Sequence, residues 1–177
     1  MRKAIRIICA ATGAIIISAL LFGFSSKNAG EFSSGVISIG VVVSDLEKSI
    51  DFYTGVVGMT ETGGFSVDGE FGKKSGLTDG LPFDVTILKL QDSDQATEWK
   101  LMSFKREKSG KRSESIEEDT GVQYITIFVT SMKPFMERIE NNKVRILSEI
   151  PAVLEDGRHF VLIQDPDGTF IELIGPE

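Results

Sequence analysis

The chain repeats itself. From Val36 to Val43 the odd positions are all β-branched (Ile37, Ile39, Val41, Val43), while the even ones mix Ser38, Gly40 and Val42. From Tyr124 to Val129 the same alternation returns with Ile125, Ile127 and Val129. A period of two with unlike faces is the mark of a strand that turns one side to a core. In the first copy Ser44 or Asp45 is placed to cap a helix through Tyr53, with Leu46, Ser49, Ile50 and Tyr53 at helical spacing and Gly55 to end it. In the second, Thr130 or Ser131 caps a helix with Pro134 in its first turn and Phe135, Met136 and Ile139 inward. Strands should follow each helix: Phe83 to Leu90 and Glu98 to Phe104 in the first copy, and Arg145 to Ile150, Arg158 to Gln164 and Thr169 to Ile174 in the second.

The last of these strands follows Asp165-Pro166-Asp167-Gly168, whose proline presets one turn torsion and whose glycine tolerates positive φ. Alternation puts Phe170, Glu172 and Ile174 on one face and Ile171 and Leu173 on the other, so Glu172 points where apolar neighbours point. A carboxylate in such company needs a cation, a metal or donors. The alternative is an edge strand with one wet face.

Two connecting stretches differ in character. Lys105 to Asp119, with mixed charges, three serines and Gly110, reads as a solvated linker. Gly63, Gly64, Gly69, Gly72, Gly76 and Gly80 punctuate a stretch that reads either as a movable loop over a pocket or as a plain irregular connection. Their spacing is not that of a phosphate cradle, so nucleotide binding is not expected.

Ahead of the repeats, Arg2, Lys3 and Arg6 precede an uncharged run from Ile7 to Phe24. That is the order of an export signal, so residues 1–30 are expected to be a signal peptide or an N-terminal membrane anchor that engages the membrane or the export machinery. Cleavage after Ser25 or Ala29 and retention as an anchor both stay open. The domain is expected in the periplasm or outside the cell. Cys9 is the sole cysteine, so residues 33–177 have no internal disulfide available and depend on packing. Four of the 19 basic residues lie in the first 30, leaving 15 against 26 acidic ones, a net charge of −11. Such a domain should avoid nucleic acid and anionic surfaces.

Val41 to Tyr53, the Val57-Gly58-Met59 that follows, and Asp165-Pro166-Asp167-Gly168 with Ile171-Glu172-Leu173 resemble the vicinal oxygen chelate superfamily, which includes glyoxalases, extradiol dioxygenases and bleomycin- or fosfomycin-resistance proteins. The resemblance covers about residues 36–176. It implies an α+β fold of two βαβββ modules, about 36–104 and 121–176 joined by a linker at 105–120, whose mixed sheets curve around a shared cavity. It also implies a divalent metal held by the first and last strands of each module.

Carried over by position, the ligand sites become Ser38 and Lys100 in the first module and Tyr124 and Glu172 in the second. Only Glu172 keeps a family ligand type. Strand alternation separately puts all four opposite the β-branched faces. Serine, lysine, tyrosine and one glutamate suit a divalent ion poorly, because an ammonium repels it. The site is therefore expected to hold no metal, with Lys100 satisfying Glu172 and Tyr124 adding a hydroxyl; the alternatives are a Lys100 that snorkels to water and a Tyr124 that packs. His159, the only histidine, reads as a rim residue at a strand start; if it faced the cavity, it and Glu172 would hold a weak metal. Trp99 should pack toward the helices.

The leading expectation is an exported, metal-free module, monomer or homodimer, that binds a small, partly apolar molecule through Ser38, Lys100, Tyr124 and Glu172. The alternative is a metal-dependent lyase, isomerase or dioxygenase, similar to lactoylglutathione lyase or an extradiol dioxygenase, with Glu172 as metal ligand or as base beside Tyr124. A structural or protein-interaction domain is the third reading.

Overall fold

A computed structural model describes residues 30–104, 112–149 and 152–177. The export or anchor segment lies outside these residues. Ser34–Glu177 forms one compact unit. Among the described residues no helix is long and apolar enough to cross a membrane.

The first module runs β1 (Ser38–Val43), α1 (Leu46–Phe52), β2 (Thr60–Val67), α2 (Gly69–Ser75), β3 (Phe83–Lys89) and β4 (Glu98–Ser103). The second runs β5 (Tyr124–Phe128), α3 (Lys133–Asn141), β6 (Ala152–Val153), β7 (His159–Gln164) and β8 (Phe170–Gly175). Each makes a four-stranded sheet, in the orders β1-β4-β3-β2 and β5-β8-β7-β6. β1 with β4 and β5 with β8 are the parallel pairs; the rest are antiparallel. The α+β duplication read from the repeated pattern is the architecture of the protein.

Local chemistry accounts for most boundaries and corrects several expectations. Asp45, in extended backbone, caps α1 by accepting the Lys48 amide at 3.2 Å. The helix does not stop at Gly55. It widens into a π-helical turn, Tyr53–Val57, and ends at Gly58. Val56 and Val57 are buried, and their carbonyls accept from the Arg138 guanidinium on α3 at 2.9 and 3.4 Å. Core burial and a cation at the helix end outweigh the preference of Gly55 to terminate. Neither Thr130 nor Ser131 caps α3. Its N-cap is Met132, whose amide donates to the Pro176 carbonyl, 2.7 Å away.

The glycine-punctuated stretch is neither lid nor irregular connection. Thr60–Val67 is a strand and Gly69–Ser75 a helix capped by Asp68. A Cβ on Gly64 would stand 2.5 Å from the Val85 carbonyl oxygen, so the close approach of β2 to β3 requires glycine there. Of the strand expected at Arg145 to Ile150, residues 145–149 show an isolated bridge between Ile146 and Ile163, Ile150 lies outside the described residues, and β6 pairs at Ala152 and Val153. The part of the linker that is described is docked, not merely solvated: Arg112 donates to the Asp165 carbonyl, and Gln164 Nε2 donates to the Ser113 carbonyl at 2.9 Å.

Both modules feed one core. Tyr53, Leu88 and Leu101 from the first and Ile139, Ile163, Ile171 and Leu173 from the second are fully buried in the same cluster. The fully buried polar join is Tyr53 Oη, which donates to Asp165 Oδ2 at 2.8 Å; Arg138 and the Ser44 amide, which donates to the Asp167 carboxylate, also cross between the modules. Asp165 Oδ1 accepts the amides of Asp167 and Thr169, a turn closed by Gly168 at φ 102. Burial pushes the Asp165 carboxyl above its ordinary range, against the pull of these three donors. Trp99 lies against the helices as expected, its ring 5.5 Å from that of Tyr53.

Tyr53→Phe removes one donor from a buried carboxylate and should cost about 1–3 kcal/mol. A raised native pKa means that the folded state holds the proton more tightly, so this group's contribution falls as pH rises from the ordinary carboxylate range through the raised value. Without the Tyr53 donor the rise is larger. Urea denaturation should therefore show a greater deficit for the variant at pH 7 than at pH 4.

Candidate functional site

Strand pairing decides what the expected site residues meet. On β1 and β4, Ser38 lies opposite Glu98 and Gly40 opposite Lys100. On β5 and β8, Tyr124 lies opposite Phe170 and Thr126 opposite Glu172. The two modules therefore correspond register for register, and Lys100 occupies in the first the place of Glu172 in the second. These side chains stand on the faces away from the shared core. Their neighbours in sequence, Trp99, Leu101, Ile171 and Leu173, are the ones that enter it.

In the first module the expected residues converge on one that the sequence reading missed. Glu98 Oε2 accepts from Ser38 Oγ at 2.8 Å and lies 3.0 Å from Lys100 Nζ. The two charged side chains are each about 30% exposed (29% for Lys100 and 31% for Glu98). The side-chain bonds from Lys100 and then Ser38 hold the Glu98 carboxyl below its ordinary range. The expectation that Lys100 satisfies Glu172 is thus corrected: its partner is two residues away on its own strand, where the pleat keeps both on one face. That spacing was the available signal for Glu98.

In the second module, Glu172 is half-buried and accepts from Thr126 Oγ1 at 2.6 Å. Tyr124 neither packs into the core nor reaches Glu172; it stands 47% exposed on the same face. Phe128, two pleats on, is 69% exposed. Among the described residues no hydrogen bond or ion pair joins the Ser38, Glu98 and Lys100 group to the Tyr124, Thr126 and Glu172 group. His159 is excluded as a co-ligand of Glu172. On β7 it shares a face with the core residues Val161 and Ile163, whereas Leu162, on the other face, is the residue opposite Glu172. His159 lies instead on the α3 side, at a cavity of about 910 Å³ with Met136, Ile139 and Phe160.

The donor set can be tested against a divalent ion. The four family positions supply one carboxylate, one ammonium and two hydroxyls, and Glu98, the added carboxylate, is committed to the ammonium. Divalent ions need several anionic or neutral imidazole donors. These residues do not fit one. Among the described residues no cluster of three or more His, Cys, Asp or Glu is placed to hold a metal. What the arrangement offers is polarity: a cation beside an acid on one sheet, and a hydroxyl-bound acid with an aromatic hydroxyl on the other.

Two like modules, each with its parallel outer pair and a polar patch on the face turned away from the core, define a duplicated α+β small-domain class. The chain belongs to the Glyoxalase/Bleomycin resistance protein/Dioxygenase superfamily, whose family model matches residues 35–173. Among solved structures it is similar to the trypanothione-dependent glyoxalase I of Leishmania major, at 25% identity and a TM-score of 0.56, over 78% of this chain and 84% of that one. It is also similar to a glyoxalase family protein from Bacillus cereus, at 17% identity and a TM-score of 0.66, over 83% and 96%. A glyoxalase/bleomycin resistance/dioxygenase domain from Frankia gives 15%, 0.58, 82% and 93%. The last two show likeness of fold alone. None of the curated proteins matches the chain.

Lys100→Met should release Glu98 toward the ordinary carboxylate range. A depressed native pKa gives stability that is present above the unfolded value and lost as pH falls through the native one, so the variant should also lose less stability on acidification. Carbon-detected NMR titration of the Glu98 carboxyl reads the first effect directly.

Proposed function

We propose that this chain is an exported member of its superfamily that binds a small, partly apolar molecule on the faces carrying Ser38, Glu98 and Lys100 and Tyr124, Thr126 and Glu172, and that it does so without a metal. The observation that carries this reading is the ion pair of Lys100 with Glu98. The ammonium occupies a place where the family sets an acid, and the neighbouring carboxylate neutralises it, which leaves a polar patch with hydrogen-bond capacity and little affinity for a cation. Exposed Val42, Tyr124 and Phe128 on the same faces supply apolar contact. Binding by one chain or by a homodimer is compatible with that surface.

Export rests on the charge order of residues 1–30, with the domain delivered to the periplasm or the exterior and either released or held by its N-terminal segment. The second reading, a metal-dependent lyase, isomerase or dioxygenase, is favoured by the 25% identity to a glyoxalase I and by Glu172 at a ligand position. In that reading Glu172→Gln abolishes turnover.

Metal analysis separates the two. The full chain, purified in mild detergent and dialysed without chelator, should retain far less than one equivalent of Fe, Mn, Ni or Zn. A stoichiometric, tightly held metal would sink the metal-free proposal.

A further inference from the structure

Between the docked linker, the end of α3 and the turn that begins at Asp165 lies a cavity of about 400 Å³. Its lining includes apolar Phe52, Leu147 and Pro166, and three cations from two separate segments, Arg112, Lys143 and Arg145. It shares no residue with the two polar groups on the outer sheet faces. A cluster of cations is unexpected on a domain with a net charge of −11, where chance would set each beside an acid. The acids present do little to neutralise it. Glu114 is 4.0 Å from Arg145, and both side chains are more than three-quarters exposed, so their pairing is weak. The carboxylate of Asp165 is taken up by Tyr53 and two amides.

Two of the three cations are set at the cavity by defined backbone features. Arg112 is held by its guanidinium bond to the Asp165 carbonyl, which fixes a charge at the mouth. Lys143, the residue after the C-cap Asn142, is among the described residues the one non-glycine with positive φ, at 55, and its amide and that of Val144 close α3 on the Glu140 and Ile139 carbonyls, each at 3.0 Å. Glycine is the usual residue at such a helix end, and here a lysine lines the cavity instead. No described ion pair engages the Lys143 ammonium.

We propose that this cavity binds a small organic anion, its apolar body against Phe52, Leu147 and Pro166 and its carboxylate or phosphate among Arg112, Lys143 and Arg145. The site is separate from the one under Proposed function and stands or falls independently of it.

The test titrates the full chain, in neutral detergent at low salt, with benzoate, phenyl phosphate and inorganic phosphate, read by calorimetry or ligand-observed NMR. At least one of the two aromatic anions should bind saturably, and more tightly than inorganic phosphate; which of them does so identifies the head group as carboxylate or phosphate. Lys143→Gly and Arg145→Ala should each weaken binding by about two- to fivefold and the double variant by roughly tenfold. Glycine accepts φ 55 without strain, so Lys143→Gly should keep an unfolding temperature at or above that of the parent. The loss of binding would then not be a loss of fold. Equal binding by the double variant and the parent overturns the proposal, as does the absence of saturable binding of either aromatic anion.

Discussion

One hydrogen bond in the dry interior, from Tyr53 to Asp165, holds the two halves of this protein in a single core. The tyrosine opens the π-helical turn that continues the first module's helix and the aspartate opens the second module's last turn, so the bond ties one module to the other. The bond is also what makes the aspartate tolerable. A carboxylate without access to water needs several donors, and here a phenol and two backbone amides supply them. Arg138 works the same junction from the other side, reaching from α3 to the carbonyls where the first helix unwinds. Apolar residues from both sheets close around these contacts.

With the helical sides committed to the core, the remaining sheet faces are left to carry polar groups. What those groups do follows from pleat and register. Glu98 and Lys100 are two apart on one strand, and the parallel partner brings Ser38 to Glu98, so an acid, a base and a hydroxyl satisfy one another within a single module. The other module has no base at the matching place and uses the Thr126 hydroxyl to support Glu172. The polar groups are divided between two local arrangements, one in each module.

The fold was largely legible because its strongest elements advertise themselves. β-branched alternation marked β1 and β5, and Asp45 marked the start of α1. β2 was not legible, since Gly63 and Gly64 erase the alternation, and at Gly64 β3 approaches too closely for a side chain. The continuation of α1 as a π-helical turn depended on Arg138, 82 and 81 positions from the Val56 and Val57 carbonyls that it binds, which no local pattern announces. At the site, period alone put Ser38, Lys100, Tyr124 and Glu172 on the faces opposite the core-facing residues of their strands. Their partners were not, because partnership is a matter of register between strands. Asp165 was read as a turn residue and proved to be the buried carboxylate, while Glu172, read as the buried one, is only half enclosed.

The correspondence of Lys100 with Glu172 has a consequence for the symmetry of the repeat. At one shared position the two copies carry opposite charges, and each charge is answered inside its own module, by Glu98 in the first and by Thr126 in the second. The two sheets match in register and differ in electrostatics. A ligand with one polar end would therefore meet two unlike surfaces on the two halves of a duplicated frame.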